Sequence, residues 1–360
     1  MKSFIDIPQI SVLVPIYNVR EYLEKCLESL RVQSFTDFEV ICLNDGSTDG
    51  SREIIKRFVR IDKRFHVLDK ENSGYGDTMN HGLDVARGTY IAILESDDFC
   101  KPDTLERLHA MIVAFDAEVV KANCELYWTG PPQKTADYEL VPRKQTGRLI
   151  DPSRNQEIFY LPAAIWAGLY RREFLESHNI RFTTTPGASY QDTAFNFKIW
   201  ANARRAVFLD KTFVYYRQDN EASSMKSAAK VFFVCTECDE MERYLAARKD
   251  TPAWLQEVRV KLKFNTYLWN YERLDASFQW EFLERFSQEM KREEEAGYLN
   301  RELFDAWSKL ELESILSSPE AYHKERLTSG RNRFGKALHF LKMGGPGLLL
   351  KIARSKIFGS

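Results

Sequence analysis

A chain of 360 residues, 44% hydrophobic and 29% charged, has the balance of a globular protein and the length for two domains, which excludes a disordered or fibrous chain. Its net charge of -1 gives it no overall electrostatic pull on nucleic acid. It contains no run of about twenty uncharged apolar residues, and its opening MKSFIDIPQISVLVPIYN is broken by Asp6 and Pro8, so neither a membrane span nor a signal peptide is expected.

The first elements alternate. ISVLVPIYN is a β-branched run ending near Pro15, and REYLEKCLESLRVQ then sets Tyr22, Leu23, Cys26, Leu27 and Leu30 on one helical stripe. FEVICLNDGSTDGS repeats strand and Gly-rich turn before the helical REIIKRFVRID. FHVLDKENSGYGDTMNHGLDVARG and TYIAILESDD add a third and a fourth strand with a helix between them. Strand alternating with helix predicts an α/β fold with a mainly parallel sheet flanked by helices, whose ligand crevice lies beyond the carboxyl ends of the strands. The polar residues of this stretch gather there: Tyr17 and Asn18, Asn44 and Asp45, Glu71 and Asn72, then Glu95, Asp97 and Asp98.

Residues 115–190 mix strand, turn and short helix. SYQDTAFNFKIWANARR reads as a helix with Asp192 in its first turn, followed by a strand pair, AVFLD and FVYYRQDN, that closes this part near residue 224. Residues 225–325 are rich in Glu, Lys, Leu and aromatics and predict an appended helical region. Residues 326–360 carry Arg and Lys but no acid, interleaved with apolar residues. This basic amphipathic tail has two readings, helices packed on the appendage or an interfacial anchor on an anionic membrane leaflet, and the absence of acids favours the second. Six scattered cysteines form no disulfide framework and point to a reduced, cytoplasmic chain, peripheral on the inner face of the plasma membrane if the tail anchors it. Cys235 and Cys238 make a C-x-x-C without the second pair that zinc needs, and read as small apolar residues of one helix face.

The acids after the fourth strand carry the chemistry. Clustered carboxylates resist ionising unless a cation or donors compensate. Asp103, after Pro102, is the candidate cap of the next helix, which leaves Glu95, Asp97 and Asp98 without a structural task. Three hard oxygen ligands suit Mn2+ or Mg2+, with a substrate's phosphates completing the shell.

Over roughly residues 8–224 these motifs together resemble the family 2 glycosyltransferases of GT-A fold, through SVLVPIYNVREYLEKCLESLRVQSFTDFEVICLNDGSTDGS, NSGYGDTMNHGLDVARGTYIAILESDD, YQDTAFNFKIW and YYRQDN. The resemblance implies transfer of a sugar from a nucleotide-diphosphate donor with inversion, and a GT-A domain over 1–224. By it, Asp45 looks at the base, Pro15 and Tyr17 flank that pocket, and Asn72 and Gly74 match the donor loop. Asp97 then contacts ribose or metal, Asp98 lies beside the divalent ion, and Glu95 is a third metal candidate, one methylene longer than the Asp usual there. Asp192 matches the general base, paired with Gln191 where relatives carry Glu. Arg217 is a candidate clamp for a diphosphate oxygen, Asp219 stands where relatives often carry His, and Met79 where many carry Arg. Trp166 is a candidate for stacking on a sugar face; it and Gln191 are the acceptor-side residues.

A dinucleotide-dependent dehydrogenase would need G-x-G-x-x-G where this chain has VPIYNV. A nucleotidyltransferase would leave Asp192 idle. A catalytically silent nucleotide-sugar-binding or scaffold protein of the same fold is the remaining alternative, carried by Glu95, Gln191 and Asp219. The reading adopted is a metal-dependent transferase with a UDP-sugar donor and a glycan, glycolipid or glycoprotein acceptor, the further partners being an anionic membrane surface and a second copy of the chain.

Overall fold

The structure, a computed structural model, describes residues 7–220 and 231–329. The chain divides into two compact units, residues 1–226 and 227–360.

In the first unit, β1 (Ile10–Ile16), β2 (Phe38–Asp45), β3 (Phe65–Lys70) and β4 (Tyr90–Ile93) are parallel, in the order β3-β2-β1-β4. β1 and β2 are buried along their whole length, which explains why their sequences run apolar instead of alternating. Between them run α1 (Arg20–Arg31), α2 (Ser51–Ile61) and α3 (Tyr75–Val85). α1 buries Leu23, Cys26, Leu27 and Leu30 and leaves Tyr22 half-buried.

The second half extends the same sheet. After β5 (Phe99–Cys100) and α4 (Thr104–Ala114) come β6 (Val119–Trp128), β7 (Lys134–Tyr138), β8 (Leu149–Ile150) and β9 (Gly168–Arg171). Next are α5 (Arg172–Ser177), α6 (Gln191–Asn202) and β10 (Ala206–Arg217). β9 lies antiparallel between β4 and β6, while β10 runs parallel to β6, so the ten-stranded sheet is mixed but mainly parallel in its first half.

Three expectations change in detail. AVFLD and FVYYRQDN are one twelve-residue strand, β10, because both halves pair with β6; register shifts fall between Leu209 and Val214, where exposed Asp210 and Lys211 interrupt the apolar run. The irregular stretch after residue 115 hides a ten-residue strand, β6, buried over its first six residues. Asp103 does hold the cap position of α4, but its side chain makes no capping bond and lies 3.4 Å from Arg107 instead.

The second unit contains α7 (Phe233–Ala246), α8 (Ala253–Arg273), α9 (Ala276–Glu295), α10 (Ala306–Ser317) and α11 (Pro319–Ser329). Asp275 and Asp305 cap α9 and α10 by accepting from backbone N–H groups. Phe264, Tyr267, Phe282 and Phe286 form its aromatic core, and Cys235 and Cys238 are buried free thiols on α7. Arg259 and Lys263 of α8 pair inside this core with Glu293 and Glu289 of α9. Arg326, the first residue assigned to the tail, belongs to α11 and pairs with Glu272 and Glu311. The tail from residue 330 onward lies outside the described residues, and so does residues 221–230. No helix among the described residues is long and apolar enough to cross a membrane.

Candidate functional site

The carboxyl ends of β1, β2 and β4 bring the first motifs to one edge. Pro15 is buried in β1 opposite Leu43, and Tyr17 follows it exposed. Asp45, the last residue of β2, is buried. Its carboxylate accepts from Lys70 Nζ at 2.7 Å and from the backbone N–H groups of Ser73 and Gly74, both at 3.0 Å, while Asn72 donates to its carbonyl. Asp45 and the 72–74 loop therefore form one hydrogen-bonded unit.

That loop also supports the helix bearing Asp192. Gly74 takes φ +96°, and a Cβ there would stand 2.8 Å from the Gly187 nitrogen and 2.9 Å from the Thr185 carbonyl. A Cβ on Gly76 would strike the Thr183 carbonyl. Only glycine permits this approach, and Tyr75 N–H donates to the Gly187 carbonyl across it. The 183–187 loop leads into α6, where Gln191 is buried and spends its amide on Thr185, Gly187 and Ser189. Asp192 follows, half-buried in the first turn.

The turn after β4 holds Glu95, Asp97 and Asp98 and faces each differently. Glu95 accepts from the Tyr75 hydroxyl at 2.8 Å, and burial together with Asp97 and Asp192 pushes its carboxyl up to about 8 despite that bond. Asp97 accepts from Asn220 at 2.8 Å. Asp98 is buried, with Oδ1 receiving the Arg217 N–H at 2.8 Å and Oδ2 finding no hydrogen-bond partner among the described residues; burial, with Asp97 beside it, pushes this carboxyl well above its usual range. Among the described residues no three His, Cys, Asp or Glu side chains are already gathered as an ion's ligands. The orphaned Asp98 oxygen next to Asp97 is nonetheless a hard donor pair that fits Mn2+ or Mg2+.

Arg217 reaches the same turn with its side chain only 4% exposed. It donates to the Asp97 carbonyl and to Thr129, and lies over the rings of Tyr22 and Tyr127. Its contacts hold the acidic turn from within. Asp219 is occupied with the Thr129 N–H and Arg217, and Met79 is fully buried in α3. Trp166 packs on Tyr216 with ring centroids 5.0 Å apart.

Four carboxylates from two places, Glu95, Asp97 and Asp98 of the turn after β4 and Asp192 of α6, act together on the Tyr216 phenol of β10, which burial and those charges push up to about 12. Asp192 is itself raised by burial, and Lys121 of β6 is the cation that pulls it back. Tyr75, Lys121, Tyr216 and Asn220 were not legible as site residues. The one available signal was Lys121, a lone cation inside the apolar run EVVKANC.

A mixed sheet of this order, with acids gathered at the ends of its parallel strands and Asp192 at the head of α6, has the architecture of the GT-A class of fold. The comparisons are consistent with that class. Residues 11–178 match the model of glycosyl transferase family 2. Glycosyltransferase GlyG of Streptococcus pneumoniae serotype 4 is 33% identical over 223 residues, 58% of this chain and 70% of GlyG. The uncharacterized glycosyltransferase EpsJ of Bacillus subtilis (strain 168) is 32% identical over 220 residues, 59% of this chain but only 62% of the length of EpsJ. The chain belongs to glycosyl transferase family 2. Among solved structures, residues 1–349 of TarS from S. aureus superpose with a TM-score of 0.66 at 19% identity, over 88% of this chain and 89% of that one, a likeness of fold.

Proposed function

We propose that the chain is a metal-dependent, inverting glycosyltransferase that moves a sugar from a UDP-sugar to a hydroxyl of a cell-surface glycan or glycoconjugate, with Asp192 as general base. The observation that carries this is that Asp97, Asp98 and Asp192 all bear electrostatically on Tyr216, with one Asp98 oxygen unpartnered among the described residues; this supports a cation held by Asp97 and Asp98 and a base at Asp192. The same TarS fragment has been solved with UDP-GlcNAc, which supports a UDP-sugar donor, and a mannosyltransferase from Pyrobaculum calidifontis, at TM-score 0.52 and 15% identity, with GDP-Man and Mn2+, which supports a nucleotide-sugar donor with a divalent cation. A relative named for teichuronic acid biosynthesis, 44% identical over 101 residues, supports a glycan acceptor.

Asp45 and the 72–74 loop border the nucleotide side, flanked by Pro15 and Tyr17. Asp97 and Asp98 would hold the cation, which when bound offsets the diphosphate charge. Arg217 keeps their turn in place, and Glu95 is set beside it by Tyr75. Asp192 accepts the acceptor's hydroxyl proton; burial raises its basicity toward that task. Trp166, held on Tyr216, and Gln191 border the acceptor side. The domain limits that go with this reading are 1–224, 225–325 and 326–360, with the last limit moved past α11, because Arg326 pairs within the helical unit, and the residues beyond it as the proposed membrane-facing tail.

The test is calorimetric titration of UDP with Mn2+ and then with chelator, followed by UDP release from a panel of UDP-sugars. Asp192→Asn is expected to abolish transfer with donor affinity nearly unchanged. UDP binding without release from any donor would favour a silent binding protein, and equal loss of binding and transfer in Asp192→Asn would remove Asp192 as the base.

A further inference from the structure

Lys121 is a buried cation whose charge acts on Asp192. It lies near the start of β6, paired with Gly168 of β9 on one side and Phe208 of β10 on the other, and is 4% exposed. Its stem passes where a side chain at residue 168 would stand: a Cβ on Gly168 would meet Lys121 Cδ at 3.0 Å and would strike the Val120 carbonyl. Around it the walls are apolar, formed by Leu140, Val141, Leu161, Pro162, Trp200 and Phe208. A lysine in such surroundings costs several kcal/mol unless its charge is used.

The ammonium is committed to one loop. It donates to the carbonyls of Ala163 at 2.7 Å and Ala164 at 2.8 Å. Ala164 sits at φ +29°, a conformation that a side chain rarely adopts and that surrounding bonds must hold. The same turn is closed by the Ala167 N–H on the Ala164 carbonyl and by the Tyr170 hydroxyl on the Ile165 carbonyl. What the turn presents is Trp166, against Tyr216. Lys121 thus ties the loop that carries Trp166 to β6, and its charge acts on Asp192 as well.

We propose that Lys121 is a positioning residue of the transfer site: it fixes the 163–167 turn that bears Trp166 on the acceptor side, where Asp192 is read as the base. The inference rests on the reading of Asp192 as that base and adds a residue to it. Burial presses the Lys121 ammonium down to about 7 while Asp192 pushes it back up, a reciprocal coupling consistent with the geometry. The groups facing Asp192 are Lys121 from β6, Tyr75 from α3, Glu95 from the turn after β4 and Tyr216 from β10. Tyr170 of β9 also faces Lys121. Among the described residues Lys121 is the cation that acts on Asp192; hydrogen bonds from Thr193 and the local backbone also lower its carboxyl, so removing Lys121 shifts it upward without leaving it wholly uncompensated.

The sign follows. Without Lys121 the carboxyl of Asp192 titrates higher, and the acid limb of the pH profile of kcat/KM moves upward. The experiment compares wild type, Lys121→Met, Lys121→Arg and Asp192→Asn in the full chain. UDP release is followed against pH with the UDP-sugar that wild type turns over, and amide hydrogen exchange over 163–167 is measured without any donor. Lys121→Met is expected to lower kcat at least about tenfold at neutral pH, to move the acid limb up, and to speed exchange at 163–167 with UDP affinity within about twofold. Lys121→Arg, which keeps charge and donors, is expected to restore the acid limb and the protection; it carries the test if the Met variant fails to fold. A folded Met variant with wild-type exchange and pH profile overturns the proposal, and so does an Arg variant that restores neither. Loss of transfer in Asp192→Asn alongside an unaffected Met variant would sink Lys121 alone, whereas transfer surviving in Asp192→Asn would sink the base assignment beneath it.

Discussion

Replacing Gly74 by alanine tests whether the glycines of NSGYG serve the donor or the scaffold. At φ +96° and ψ 165° the backbone is one that L side chains avoid, which costs about 1–3 kcal/mol. The new Cβ would stand 2.8 Å and 2.9 Å from backbone atoms of Gly187 and Thr185, neither of which can rotate aside, and overpacking of this kind costs about 1–3 kcal/mol. Against these, alanine lowers the entropy of the unfolded chain by about 0.4–1 kcal/mol, too little to change the sign. A net loss of about 2–4 kcal/mol is expected. Function should suffer beyond stability, because Thr185 and Gly187 are the partners of Gln191, next to Asp192. A shift of about 1 Å at that point is worth about a hundredfold in rate. Urea denaturation followed by UDP binding and UDP release separates the two effects. An unchanged urea midpoint with unchanged release would refute the close approach, and loss of UDP binding at unchanged stability would return Gly74 to a direct role on the donor.

Other outcomes follow from the same geometry. Asp97→Ala should lose the metal-dependent part of UDP binding in calorimetry; retention of it would take Asp97 out of the cation site. In the helical unit, Glu293→Ala leaves Arg259, 1% exposed, and Lys263, 3% exposed, short of a buried partner. A loss of about 3–5 kcal/mol is expected, measured by urea denaturation, and a loss under about 1 kcal/mol would contradict the pairing. Glu95 holds its proton in the folded metal-free protein up to about 8, whereas the unfolded chain releases it near 4.5. Between those values the folded state binds more protons, so stability should fall as pH rises through that window. Asp98 and Asp192, both raised by burial, push the same way. With chelator present Glu95→Gln should flatten the slope, and an unchanged slope would mean that Glu95 ionises normally.

The alternation of strand and helix over residues 10–100 and the polar residues at each strand end were legible because they are local: periodicity selects the element, and parallel connection puts all strand ends on one edge. Asp45, Asp97, Asp98 and Asp192 stood out for that reason and through their family pattern. What local pattern does not carry is which side chain meets which. Tertiary pairing alone merged AVFLD and FVYYRQDN into β10, by laying both along β6. It drew Glu95 to Tyr75, and turned Arg217 inward onto Tyr22 and Tyr127, contacts that span from about twenty to nearly two hundred positions of sequence. Lys121 is the sharpest case. In sequence it is one cation in an apolar strand; only the fold sets the Ala163 and Ala164 carbonyls and Asp192 around it, and only there does a buried charge become favourable.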